Sequence, residues 1–264
     1  MRKYLELFTD GFDDTLDEKI KPENWPYVGY SPSEGVVFTV IPEPVTYEDV
    51  DLGLPSGLKW ADKNIGAENP WDNGLYFSWG NVEGHAVDEN GNVTDGYSFD
   101  ETTYASTLGG QFTGSTLDAE HDAAAANMGS DWRMPTVNET DELVNNTDHY
   151  YIGEDGSIVA GPFDHTTDSS DKGLDGSKLR SICFVKKGEE FDYNVRGNFI
   201  EIPFAGYCGD SLVRQEGFYG YVWSSSVYYF GDSARYLYFN KFGELYGNSS
   251  WHRYDGRPVR GVRA

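Results

Sequence analysis

The residues best suited to chemistry in this 264-residue chain lie near its end, and their types favour recognition over catalysis. From Phe218 to Asp255 the sequence reads FYGYVWSSSVYYFGDSARYLYFNKFGELYGNSSWHRYD. It mixes Tyr, Ser, Asn, Gly and Phe, with few aliphatic residues beyond Val222, Val227, Leu237 and Leu245. Adaptable binding surfaces share this composition. Tyr offers a large rigid contact area at low entropic cost, and Ser, Gly and Asn supply flexible hydrogen bonding. Tyr228, Tyr236, Tyr238, Tyr246, Trp251 and Tyr254 are spread through the segment, and Trp251 reads as a surface anchor. The segment is expected to act as a binding surface, with the rest of the chain as its scaffold.

Other chemistries find little support. His85, His121, His149, His165 and His252 show no metal-ligand spacing. Cys183 and Cys208 are too few for a disulfide framework; they form either one bridge or two separate thiols, and a reducing compartment favours the thiols. Two stretches echo calcium motifs. Glu68-Asn69-Pro70 holds the residues of a sugar-binding Glu-Pro-Asn word in the wrong order. Asp88, Asn90 and Asn92 alternate like the start of an EF-hand, but Val93 replaces the required Gly and Phe99 the bidentate Glu. Hairpin turns are expected there, with no obligatory metal and no cofactor. No nucleophile, base and orienting group can be assembled from the sequence, so an enzyme is not expected.

Positioning such a surface requires a sizeable scaffold, and the length allows one large domain with a small appendage. Phe, Trp and Tyr make up 16% of the residues, which argues for a loop-rich fold held by aromatic packing. The net charge is −24, yet residues 218–264 carry +3. An acidic body repels phosphate backbones, so nucleic acid is not an expected partner. No apolar run reaches membrane-span length, so no membrane insertion is expected. The start, MRKYLELFTDGFDD, has no apolar h-region and does not read as a Sec signal.

Residues 1–45 are rich in Pro and acidic side chains and read as an attachment segment or small β appendage, with one strand at Val36–Ile41. Residues 46–264 read as the main domain. Asn-Gly and Asp-Gly at 90–91 and 155–156 predict tight hairpins. One helix is expected through EHDAAAAN, capped within Ser115–Asp118 and stopped near Gly129. A second starts at Thr136 with Glu139 completing a capping box. Strands are expected at Asn198–Phe204 and Arg235–Asn240. The period of two in the latter points Leu237 and Phe239 to the core and turns Tyr236, Tyr238 and Asn240 outward. Trp60, Trp79, Trp132 and Trp223 read as core.

Several words, in order, resemble the Fibrobacter-type paralogous domain family. They are Val50-Asp51-Leu52-Gly53-Leu54-Pro55-Ser56-Gly57-Leu58-Lys59-Trp60-Ala61, Tyr76-Phe77-Ser78-Trp79-Gly80, Trp132-Arg133-Met134-Pro135-Thr136, Pro203-Phe204-Ala205-Gly206-Tyr207, Trp223-Ser224-Ser225-Ser226 and Leu237-Tyr238-Phe239-Asn240. The resemblance covers about residues 46–264. It implies an α+β, C-type-lectin-like fold with two helices and a small twisted antiparallel sheet. The ending Val259-Arg260-Gly261-Val262-Arg263 departs from that family's pattern, with Gly261 where a Pro is usual.

Within the family, the tail resembles the variable region of a diversity-generating retroelement target. There an error-prone reverse transcriptase rewrites adenines, and the template codon AAY can yield Tyr, Ser, Asp, His, Gly, Val, Phe or Arg, but not Trp, Lys, Glu, Gln or Met. The resemblance implies diversified ligand-binding positions at Val227, Tyr228, Phe230, Asp232, Tyr236, Tyr238, Asn240, Phe242, Tyr246, Asn248, Ser249, Ser250, His252 and Tyr254. Trp251 joins them as a fixed anchor. It also implies a phage or prophage protein, made in the host cytoplasm and displayed on the virion tail through the N-terminal segment. Its partner would be a cell-surface protein or glycan receptor, and a homo-oligomer would multiply weak contacts. The alternative is a bacterial cell-surface or accessory glycan- or protein-binding module. Trp132–Thr136 also resembles a word of formylglycine-generating enzymes, but those need a closely spaced cysteine pair, which Cys183 and Cys208 do not provide.

Overall fold

Helix starts follow their caps. The computed structural model describes residues 45–163, 179–195, 197–228 and 231–264; the expected strand at 36–41 and candidate Phe230 lie outside them. Val45–Ala264 forms one compact unit. The described helices are α1 (Glu101–Ala105), α2 (Leu108–Gln111), α3 (Ala123–Met128) and α4 (Val137–Asn145). The Asp122 side chain caps α3 by accepting from the backbone N–H groups of Ala124 and Ala125, and Gly129 ends it at φ 103°. The expected cap within Ser115–Asp118 is therefore corrected. Residues 115–117 instead run beside a strand: Leu117 donates to Ser225 O at 2.9 Å and Val227 to Ser115 O at 3.0 Å. Helix α4 begins as expected, with Glu139 accepting from the Thr136 N–H at 2.7 Å.

The strands are β1 (Asp49–Asp51), β2 (Lys59–Ala61), β3 (Tyr76–Phe77), β4 (Thr147–Gly153), β5 (Ile158–Phe163), β6 (Leu179–Lys186), β7 (Phe199–Pro203), β8 (Tyr207–Gly209), β9 (Leu212–Arg214), β10 (Tyr219–Val227), β11 (Ser233–Asn240), β12 (Leu245–His252), β13 (Arg257–Pro258) and β14 (Val262–Arg263). All pairings among them are antiparallel. The fold is α+β, with short helices and several small sheets. Strand order is β5-β4-β6-β7 in the largest sheet, β10-β11-β12 in the sheet from the Tyr-rich segment, and β1-β2-β14 where the two ends of the unit meet. The 155–156 turn joins β4 to β5, and the 90–91 turn closes a bridge between Val87 and Val93, with positive φ at Gly91 and Gly156. Among the described residues no helix is long and apolar enough to cross a membrane.

The main core lies between the four-stranded sheet, α4 and one face of β10-β11-β12. It gathers Leu143, Val144, Ile182, Phe184, Ile200, Ile202, Phe204, Val222, Leu237 and Phe239. Phe239 is fully buried and meets Phe204 edge-on at 5.0 Å. Two glycines permit this approach. Gly220, opposite Phe239 in the register, has no side chain because the Phe239 ring occupies that space. At Gly247 a Cβ would lie 2.5 Å from Asp141 backbone atoms of α4, so only glycine lets strand and helix touch. Trp60, Trp79, Trp132 and Trp223 are all buried, as their sequence contexts predict.

Candidate recognition face

The second face of β10-β11-β12 carries the candidate site. Register sets Tyr221 opposite Tyr238, Trp223 opposite Tyr236, Tyr238 opposite Tyr246 and Ala234 opposite Trp251. Alternation then places Tyr219, Tyr221, Tyr236, Tyr238, Tyr246 and Trp251 on one side of the sheet. The five tyrosine rings form a continuous ladder, and Trp251 stands apart from it, in ring contact with His252. Tyr221 lies 5.5 Å from Tyr236 and 5.7 Å from Tyr238, Tyr219 lies 6.0 Å from Tyr238, and Tyr238 stacks on Tyr246 at 5.9 Å and 13°.

Exposure grades along this ladder. At its inner end Trp223 is fully buried and Tyr221 and Tyr236 are each 6% exposed. At its outer end Tyr238 is half-buried and Tyr246 is 46% exposed, while Trp251, beside Ala234 at the opposite end of the strands, is 56% exposed. Burial pushes the Tyr221 and Tyr238 hydroxyls well above the ordinary tyrosine value.

The inner end is closed by a buried arginine. The Arg257 guanidinium lies 4.5 Å over Trp223, 4.6 Å over Tyr236, 5.1 Å over Tyr221 and 5.5 Å over Tyr207. Asp255 pairs with it at 3.0 Å, and burial holds that carboxyl above its ordinary value despite the neighbouring cation. Arg253 lies over Trp79 at 4.5 Å and is buried, with its pKa pushed down chiefly by desolvation. Arg260 is fully buried, donates to Asn64 at 2.9 Å, and is pushed down by desolvation to about 10. Arg263 stacks on Trp132 at 4.6 Å and pairs with Asp49 at 2.6 Å. The arginines that make the tail formally basic thus fasten its end into the scaffold.

The expected outward facing of the 236–240 strand needs correction at two positions. Tyr236 is buried because Arg257 and Tyr221 cover that part of the sheet. Asn240 is 1% exposed because its side chain organises the β11–β12 turn. Its Oδ1 accepts from Phe242 N at 2.9 Å and Glu244 N at 3.1 Å, and its Nδ2 donates to the Glu244 carboxylate and to the Tyr238 hydroxyl. Neither side chain is available to a ligand. The remaining described candidates reach the surface to different degrees. Asp232, Phe242, Tyr246, Asn248 and Trp251 are exposed, while Val227, Tyr228, Tyr238, Ser249, Ser250, His252 and Tyr254 are half-buried. His252 stacks on Tyr254 at 4.8 Å and meets Trp251 at 5.1 Å, so these three form one cluster. Asn248 reaches across to Asp141 of α4 at 3.1 Å.

Two aromatic residues at the start of β10 lay outside the expected site. Tyr219 flanks the ladder, half-buried, and Phe218 is 47% exposed with the Lys241 ammonium 3.9 Å over its ring. The alternation that places Tyr238 on this face places Tyr219 there too, once the β10–β11 register is known.

Elsewhere the geometry is that of structure. Cys183 and Cys208 are buried on different sheets with no disulfide between them, and burial pushes the Cys208 thiol far up, which makes it a poor nucleophile. The calcium-like words serve turns: Asp88 Oδ1 accepts from Asn92 N at 2.8 Å and Asn90 N at 2.9 Å, and Asn69 N donates to Asp72 at 2.8 Å. Among the described residues no three His, Cys, Asp or Glu side chains converge as a metal-binding group. Compared with known proteins, the chain matches no family model, no curated protein and no solved structure.

Proposed function

We propose that this protein binds a receptor through the outer part of the β10-β11-β12 face, presented on a C-type-lectin-like scaffold, and that it performs no reaction. The observation that carries this reading is the graded tyrosine ladder. A sheet whose opposite face is locked into the main core leaves Tyr246 and Trp251 about half exposed toward opposite ends of β12, with Ser249 between them on the same face and Asp232 exposed. Rigid aromatic anchors surrounded by small polar groups are the usual centre of a recognition surface. The resemblance of residues 46–264 to retroelement-diversified proteins extends the reading: outward positions vary while the scaffold stays fixed. Display on a phage tail through residues 1–45, with a cell-surface receptor as target, is the setting that resemblance favours.

The test is a library of the full chain diversified at Tyr228, Asp232, Tyr238, Tyr246, Asn248, Ser249, Ser250 and Tyr254, with Tyr236 and Asn240 held. Most members should remain folded, and selection should yield binders to unrelated proteins. A library whose members mostly aggregate or unfold refutes the reading.

A further inference from the structure

We infer that the outer end of the tyrosine ladder, where Tyr238 and Tyr246 stack beside Glu244, accepts a lysine or arginine side chain of a protein partner. The inference rests on the recognition-face reading and adds the chemistry of what that face takes.

The same sheet shows how its rings handle cations. At the buried end, four aromatic rings and the Asp255 carboxylate surround the Arg257 guanidinium, with ring distances between 4.5 and 5.5 Å. At the edges, Arg235 lies 4.4 Å over Tyr228, and Lys241 lies 3.9 Å over Phe218 and 5.3 Å over Phe242. The negative ring faces supply the attraction in each case.

The outer end repeats the combination of rings and carboxylate in a different setting. Tyr238 and Tyr246 are stacked, Tyr219 closes on Tyr238 at 6.0 Å, and the Tyr238 hydroxyl donates to Glu244 at 3.1 Å. Glu244 and Tyr246 are both exposed, whereas Asp255 and Arg257 are buried. A cation entering from solvent meets here the groups that hold Arg257 inside.

Charge points the same way. The chain carries −24, and of the six cations in residues 218–264 Arg253, Arg257 and Arg260 are buried and Arg235, Lys241 and Arg263 half-buried, while Asp232 and Glu244 are exposed. Such a field draws in a basic surface and repels acidic glycans. The site is an open ladder on a sheet, which suits a side chain projecting from a protein surface.

The experiment pans a random peptide library against the immobilised full chain and, in parallel, against Tyr246→Leu. Peptides whose capture depends on Tyr246 are expected to carry Lys or Arg several-fold above the library frequency. Replacing that residue by citrulline or acetyl-lysine should weaken binding roughly five- to tenfold. Tyr246→Phe, which keeps the ring, should retain these peptides. Glu244→Gln should weaken them several-fold, and added salt should weaken them further. Thermal melts of each variant verify folding. Tyr246-dependent peptides with no basic enrichment, or unchanged by citrulline, overturn the cation assignment but leave the face a binding surface. A complete lack of Tyr246-dependent peptides also overturns it. Collapse of the diversified library described above removes the face itself, so the two failures are distinguishable.

Discussion

On one face of the β10-β11-β12 sheet, Val222, Leu237, Phe239 and Leu245 pack into an apolar core with α4 and the four-stranded sheet behind them. On the other, the same three strands present a run of tyrosines that begins buried around Arg257 and ends in solvent at Tyr246, with Trp251 exposed separately at the Ala234 end. The first face is uniform and dry, and the second is graded. The difference separates two jobs within one stretch of sequence. Backbone position is fixed from behind by packing, and the proposed function requires that the outer side chains change without moving the strands. The graded face also sets a limit: its buried end is scaffold too, and variation there has a structural cost.

The largest expected effect breaks the inner face. Phe239→Ala should lower unfolding free energy in a denaturant titration by about 3–5 kcal/mol, the usual cost of truncating a fully buried Phe. Tyr238→Ala, one residue away on the graded face, should cost far less. Equal losses would mean that the two faces do not differ as described.

Arg257→Ala attacks the boundary between the buried and exposed parts of the ladder. It leaves Asp255 buried without its cation and should cost about 3 kcal/mol or more. Combining Asp255→Asn with Arg257→Met should recover part of that loss, since no uncompensated charge then remains. A double variant no better than Arg257→Ala would show that ring packing, not the ion pair, closes the ladder.

The sequence makes the inner face legible and the outer face only in part. Leu237 and Phe239 stand at alternate positions between tyrosines, and that period alone assigns them to the core. Caps at Thr136 and Gly129 likewise mark where helices start or stop, because capping is local chemistry. Tyr236 and Asn240 obey the same alternation as Tyr238, yet they are buried. What covers them comes from Arg257 across the fold and from the turn at Glu244, and neither contact follows from strand periodicity. The arginines follow a related rule: residues 218–264 are formally +3, but Arg253 and Arg257 are buried over Trp79 and Trp223, and neither contact follows from the sequence pattern. Helices α1 and α2 are too short to impose a periodic signal.

A smaller effect concerns the support behind the inner face. Arg133 grips Glu139 with two hydrogen bonds, at 2.7 and 2.5 Å, at the start of α4. Burial tends to raise the Glu139 carboxyl, but Arg133 and the Thr136 N–H outweigh it and hold it below its ordinary value. The folded state therefore favours the carboxylate. Its stabilising contribution is complete above the unfolded value of about 4.3 and is lost as pH falls through the lower folded value. Glu139→Gln should cost roughly 0.5–1 kcal/mol at neutral pH. That deficit should shrink as pH is lowered past about 4, where wild-type Glu139 begins to protonate. A deficit independent of pH would assign the role of Glu139 to packing alone.

The smallest expected effect on stability sharpens the comparison most. Tyr246 and Trp251 sit opposite Tyr238 and Ala234 in the register, yet about half of each is in solvent. Truncating an exposed side chain away from buried networks changes stability by about 0.5 kcal/mol or less. Aromatic anchors at the centre of an interface cost about 2 kcal/mol or more in binding when cut to Ala. Tyr246→Ala and Trp251→Ala should therefore leave the denaturation midpoint nearly unchanged while weakening a selected binder about thirtyfold, which is that energy expressed as an affinity ratio. Phe239→Ala should do the reverse, losing stability first and affinity only as folded protein is lost. Measuring midpoint and affinity on the same three variants tests both faces at once. If Tyr246→Ala and Trp251→Ala destabilise the fold as Phe239→Ala does, the graded face is core throughout and has no recognition surface to offer.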